Sequence, residues 1–136
     1  MIVTDASVLV NALAGSASEV RATRQSLARD PHWVAPNHWM AEAFHALRGL
    51  ALGGRLSRED AEEAITVLPT LRVTTVPIDG LLRHMWRLRD TLSGYDAAYV
   101  VLAQAQDATL LTADGRLARA AAGHCRVRLT RPPSRA

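Results

Sequence analysis

Two short apolar runs constrain this chain more than any other feature: residues 1–4 (Met-Ile-Val-Thr) and Thr109–Thr112 (Thr-Leu-Leu-Thr). Each is followed within two residues by an aspartate, Asp5 or Asp114. Runs this short and apolar read as buried strands. Helical and strand-like segments alternate between and after them, the order expected of a parallel sheet with helices on its faces.

The remaining segments carry their own start and stop signals. A helix over Ala6–Ala14 stops at Gly15, and Ser16 with Glu19 forms a capping box that opens a helix to about Ala28. Asp30-Pro31 makes a turn, and residues 33–35 a short strand. Residues 37–51 read as a helix with Met40, Ala43, Phe44, Leu47 and Leu50 on its inward face, ended by Gly53-Gly54. Ser57 and Asp60 open another helix, with Ala61, Ala64, Ile65 and Leu68 inward. Residues 71–78 alternate as a strand, and Asp79 is expected to cap a helix to about Arg89. Ser93 and Asp96 open a strongly apolar helix over residues 97–105. A helix follows Asp114-Gly115 to about Gly123, and residues 126–129 suit a last strand. The expectation is one α/β domain over residues 1–130, with residues 131–136 as a loose basic tail.

Composition narrows the function. No apolar run approaches the roughly 20 residues of a membrane span, and the N-terminus lacks the basic start of a signal peptide. The single cysteine, Cys125, can form neither an internal disulfide nor a zinc site alone. These features suggest a cytoplasmic protein. The net charge is +3 and all 16 basic residues are Arg, so the surface favours polyanions. The absence of Lys excludes P-loop phosphate binding and Schiff-base chemistry.

Asp5 and Asp114 stand where ligands bind in open α/β sheets, at the carboxyl ends of strands. Asp96 lies in the first turn of its helix and Glu42 one turn into another. Each has a plainer reading. Asp5 and Asp114 could be N-caps, Asp96 half of a capping box, and Glu42, beside His38, His45 and Gly49 on a helical wheel, part of a solvated face. Five histidines show no metal-binding spacing, and only His45, one turn beyond Glu42, merits testing. Trp33, Trp39 and Trp86 are isolated, as expected of core or interface residues.

The combination is more specific than its parts. Ile2-Val3-Thr4-Asp5-Ala6-Ser7, the stretch from Pro36 through Arg48 around Glu42, Tyr95-Asp96-Ala97-Ala98-Tyr99-Val100-Val101-Leu102-Ala103 and Leu110-Leu111-Thr112-Ala113-Asp114-Gly115-Arg116-Leu117 occur in that order. Together they resemble the four acidic segments of PIN-domain ribonucleases. Within that family the chain is most similar to the VapC-like toxins of toxin–antitoxin pairs. The resemblance implies a PIN-like three-layer fold, its central, mostly parallel sheet flanked by helices. It also implies an RNA substrate, a small antitoxin partner that can push a basic side chain into the acids, and a homodimer. Some PIN domains carry further acids near the fourth segment, where this chain has Gly115, Arg116 and Leu117.

Four converging carboxylates repel one another unless they bind a cation or hold protons. Oxygen donors alone favour Mg²⁺ or Mn²⁺ over zinc. The expected assignment is therefore Asp5, Glu42, Asp96 and Asp114 as metal-binding catalytic residues, with Ser7 and Thr112 as supporting hydroxyls. The alternatives are a catalytically inactive PIN-like binding module, a DNA-directed nuclease, or a phosphoryl-transfer enzyme of the haloacid-dehalogenase or receiver type. The last type relies on a Lys that this chain lacks.

Overall fold

A computed structural model describes residues 1–130; the proposed basic tail, residues 131–136, lies outside them. Among the described residues, five strands and seven α-helices alternate. Strand β1 (Ile2–Thr4) leads into α1 (Ala6–Ala14) and α2 (Ala17–Ala28). Then come β2 (Trp33–Pro36), α3 (Trp39–Leu52), α4 (Arg58–Val67), β3 (Val73–Val76), α5 (Leu82–Arg87) and α6 (Gly94–Gln106). The order closes with β4 (Thr109–Thr112), α7 (Gly115–Ala121) and β5 (Val127–Leu129).

The strands form one sheet in the order β3-β2-β1-β4-β5, every pair parallel. The chain winds from β1 outward to β3, then crosses back to β4 on the other side of β1. Right-handed crossovers therefore place α1 to α4 on one face and α5 to α7 on the other. The central strands are shielded from both sides: Ile2, Val3, Thr4, Leu110, Leu111 and Thr112 are all buried. Helix α6, packed against β1, β2 and β4, buries every residue from Ala97 to Ala103, which explains why its sequence is apolar all round.

Local signals act as expected at several element ends. Ser16 and Glu19 form a reciprocal capping box. Gly15 fits because a Cβ there would stand 2.7 Å from the Asn11 carbonyl oxygen and 2.9 Å from the Glu19 Cβ. Gly54 takes a positive φ of 74° past the end of α3.

Three local expectations need correction. The buried stripe of α3 is Trp39, Ala43 and Leu47, whereas Phe44 is 52% and Met40 38% exposed. Burying the indole, the larger apolar surface, turns the helix about its axis and carries Phe44 outward. Ile65 of α4 is likewise exposed while Ala64 and Leu68 face inward. Asp79 caps nothing: Asp79–Leu81 is a 3₁₀ turn without a side-chain cap bond, and the short α5 behind it begins at Leu82 with none either.

Candidate active site

Strand order determines where the site can form. Strand β1 has β2 on one side and β4 on the other, so the chain's winding reverses between β1 and β4. The crevice at the carboxyl end of such a pair is the usual ligand position in open α/β sheets. Asp5 leaves β1 at this edge and Asp114 leaves β4. Helices α3 and α6 start at the same edge, with Glu42 and Asp96 in their first turns. Each of the four acids thus stands at a helix N-terminus, where unpaired amides favour negative charge.

Asp5 is the most enclosed of the four. Its Oδ1 accepts from the Ser7 hydroxyl at 2.5 Å and from the Val8 amide at 3.3 Å, and its Oδ2 accepts from the Thr112 hydroxyl at 2.6 Å. Both hydroxyls are aimed by the loop after β4: Ser7 Oγ accepts from the Ala113 amide and Thr112 Oγ1 from the Asp114 amide. Accepting from backbone leaves each hydroxyl proton free for Asp5. Burial pushes the Asp5 carboxyl up to about 6; its three hydrogen bonds pull it down and nearby Asp114 adds to the rise. Among the described residues, no ion pair involves Asp5.

The other acids divide into two settings. Asp114 caps α7, its Oδ1 accepting from the Arg116 and Leu117 amides. The Arg116 guanidinium lies between two acids, its Nη2 3.1 Å from Asp96 Oδ2 and 3.4 Å from Asp114 Oδ2. Asp96 and Asp114 in turn hold Arg116 more firmly in its charged form. Asp96 differs from Glu19, the acid of the true capping box: Ser93 Oγ accepts from the Asp96 amide, but the Asp96 carboxylate turns to Arg116. Across the crevice, Glu42 Oε1 accepts from the Tyr99 hydroxyl at 2.7 Å. Burial, then Glu42, raises the Tyr99 pKa, so this phenol stays protonated and donates. His38 Nε2 lies 3.1 Å from the same Glu42 oxygen and, among the described residues, makes no hydrogen bond.

The proposed site residues therefore share one edge, with Ser7 and Thr112 on Asp5, and Asp96 joined to Asp114 through Arg116. Glu42 shares no partner with Asp96 or Asp114. Among the described residues, no three acidic, histidine or cysteine side chains stand close enough to form a ready-made metal cage. Two neighbours were not singled out from the sequence. Tyr99 is hidden in an apolar run, although it stands three residues after Asp96, on the same helix face. Arg116 reads only as a missing acid. Of the histidines, His38 and not the exposed His45 meets the acids.

Comparisons with known proteins agree with this architecture. The PIN domain family matches residues 2–123. Ribonuclease VapC1 of Mycobacterium tuberculosis is 39% identical over 130 residues, 95% of this chain and 97% of its own. Ribonuclease VapC3 of the same species is 40% identical, covering 88% of this chain and 86% of its own. VapC ribonuclease Mb0985 of Mycobacterium bovis is 36% identical over 92% of this chain and 94% of its own. Among solved structures, M. tuberculosis VapC20, described as a sarcin–ricin loop cleaving toxin, superposes with a TM-score of 0.68. It covers 94% of this chain and 99% of its own at 20% identity, a likeness of fold. PAE2754 from Pyrobaculum aerophilum gives a TM-score of 0.62 at 25% identity, covering 88% of this chain and 84% of its own. With a match over residues 2–123 and relatives of similar length at 36–40% identity, the chain belongs to the PIN-domain family and, within it, to the VapC ribonucleases.

Proposed function

We propose that this chain is a Mg²⁺- or Mn²⁺-dependent endoribonuclease that hydrolyses RNA phosphodiester bonds as the toxin of a VapBC-type toxin–antitoxin pair. One observation carries the metal reading: Asp5 is buried at the switch point of the sheet with Asp114 nearby and, among the described residues, no ion-pair partner of its own. Burial there disfavours the charged carboxylate, and a cation from outside the chain would offset that cost.

The donor set fits a hard cation. Asp5 Oδ2 has accepted one hydrogen bond, which leaves it capacity for a metal. Among the described residues, Asp114 Oδ2 and Asp96 Oδ2 are engaged only by the Arg116 side chain. Glu42 joins from the start of α3, held by Tyr99 of α6. A cation held by these residues supplies an activated water and neutralises phosphate oxygens. The chain's own residues do the rest. Ser7 and Thr112 fix the Asp5 carboxylate in one orientation, and Tyr99 does the same for Glu42. The arginine-rich surface attracts the RNA backbone.

Relatives named VapC support a small antitoxin as partner, and we extend the family pattern to a homodimer and to the cytoplasm. Among the described residues, no helix is long and apolar enough to cross a membrane. The test is cleavage of cellular RNA by the purified chain, read by sequencing the new 5′ ends. Cleavage is expected with Mg²⁺ or Mn²⁺ and lost in EDTA. Full activity in excess EDTA sinks the metal mechanism, and activity with zinc alone contradicts the oxygen-donor argument. A folded chain that cuts no RNA under any metal would favour the inactive binding module.

A further inference from the structure

We propose that Arg116 is a built-in substitute for the divalent cation: in the metal-free protein its guanidinium offsets part of the charge of Asp96 and Asp114, and a metal must displace it to bind them. This rests on the metal reading above. The geometry is specific. One nitrogen, Nη2, serves Asp96 Oδ2 and Asp114 Oδ2 together, joining carboxylates carried by two different helices. The Asp114 oxygen it uses is the one the backbone leaves free, because Oδ1 is occupied in capping α7. Asp96 Oδ2 likewise has no other hydrogen-bond partner among the described residues. The guanidinium thus sits on the two oxygens a cation would take.

Exposure makes the exchange feasible. The Arg116 side chain is 65% exposed, whereas that of Asp96 is only 15% exposed. The guanidinium can swing into solvent without unpacking anything, while the carboxylate stays in place. An ion pair with so exposed a partner is weak, so a dication bound directly to the same oxygens can replace it. The two cannot remain side by side, because a unit charge about 4 Å from a double charge is repelled even at the dielectric of water. Arg116 therefore lowers metal affinity, while sparing the empty site the repulsion between Asp96 and Asp114.

The experiment is a Mn²⁺ titration of the full chain, followed by calorimetry and by the free-ion paramagnetic signal, on the parent, Arg116→Ala and Arg116→Lys. Circular dichroism checks that each is folded. Arg116→Ala should bind Mn²⁺ up to about tenfold more tightly, the scale of the two exposed ion pairs that the metal no longer has to break. Arg116→Lys, which keeps the charge, should stay much nearer the parent. Equal or weaker binding by folded Arg116→Ala overturns the proposal and leaves the metal reading intact. So does tightening of the same size in Arg116→Lys, since the effect would then not be one of charge. If neither the parent nor Arg116→Ala takes up Mn²⁺, the metal reading falls and this proposal with it.

Discussion

Asp5 is held by two hydroxyls, Ser7 and Thr112, and its protonation state is a measurable property of the protein in chelator. Its carboxyl is raised from 3.8 to about 6, chiefly by burial. For a raised carboxyl, the folded state holds the proton more tightly than the unfolded state. The group's contribution is therefore most favourable below about pH 4 and is lost as pH rises towards 6. The gap corresponds to about 3 kcal/mol. In EDTA, urea unfolding of Asp5→Asn should gain about that much stability relative to the parent between pH 4 and pH 6.5; a difference that stays flat across this range would remove the raised carboxyl. Asp96 and Asp60 make a second contrast. Both follow a serine N-cap by three residues, and in each case the serine oxygen accepts from the acid's amide. Only the Asp96 carboxylate meets another site group, through Arg116. Asn caps about as well as Asp, so both Asn variants should fold. RNA cleavage should fall by orders of magnitude in Asp96→Asn and stay near normal in Asp60→Asn. Equal cleavage by the two would mean that Asp96 is only a helix-start residue.

Caps at the level of the helix were legible where side chain and backbone signals coincide, and misread where only one was present. Ser16 with Glu19 is a reciprocal box, so Ser16→Ala should cost about 1 kcal/mol in chemical denaturation. Asp79 looks similar in sequence, but it opens a 3₁₀ turn and accepts no cap bond, so Asp79→Ala should change stability by less than about 0.5 kcal/mol. A loss near 1 kcal/mol there would show a bond formed in solution. Strands β1 and β4 were legible because burial on both faces leaves a short apolar run as the signal. The orientation of α3 was not. Periodicity alone fits a stripe through Phe44 as well as one through Trp39, and the choice depends on how α3 packs against α1 and α4. The same rotation turns Glu42 from an apparently solvated position towards Tyr99. The acids themselves were legible as residues standing after strands or in first helical turns. Arg116 and Tyr99 were not, because their roles arise only when α6 meets α7 and α3, contacts far apart in sequence.

Across the whole molecule, the candidate metal ligands come from four separate pieces of chain meeting at one sheet edge: the starts of α1, α3, α6 and α7. Asp5 and Asp114 are already coupled through Thr112, and Asp114 to Asp96 through Arg116. Glu42, tied to Tyr99, closes the far side of the crevice. A cation drawn in here would bridge helices from both faces of the sheet and relieve the repulsion among their acids. Binding to the folded chain alone stabilises it by mass action, about 2.7 kcal/mol at a hundredfold excess over Kd. For a chain of this size that corresponds to a rise in Tm of about 10 °C. Thermal melts in saturating Mg²⁺ or Mn²⁺ against EDTA should show this rise in the parent and in Asp60→Asn. Asp5→Asn should lose most of it, because Asp5 is the acid at the switch point itself. Glu42→Gln should lose less, because Glu42 Oε1 is already tied to the Tyr99 hydroxyl. Hydrogen exchange should slow on metal addition at the first amides of α1, α6 and α7 together, since one ion would restrain all three. A parent Tm that does not move with either cation would mean that these four starts are not joined by a metal, and the acids would then have to be explained as helix caps and counter-charges for Arg116.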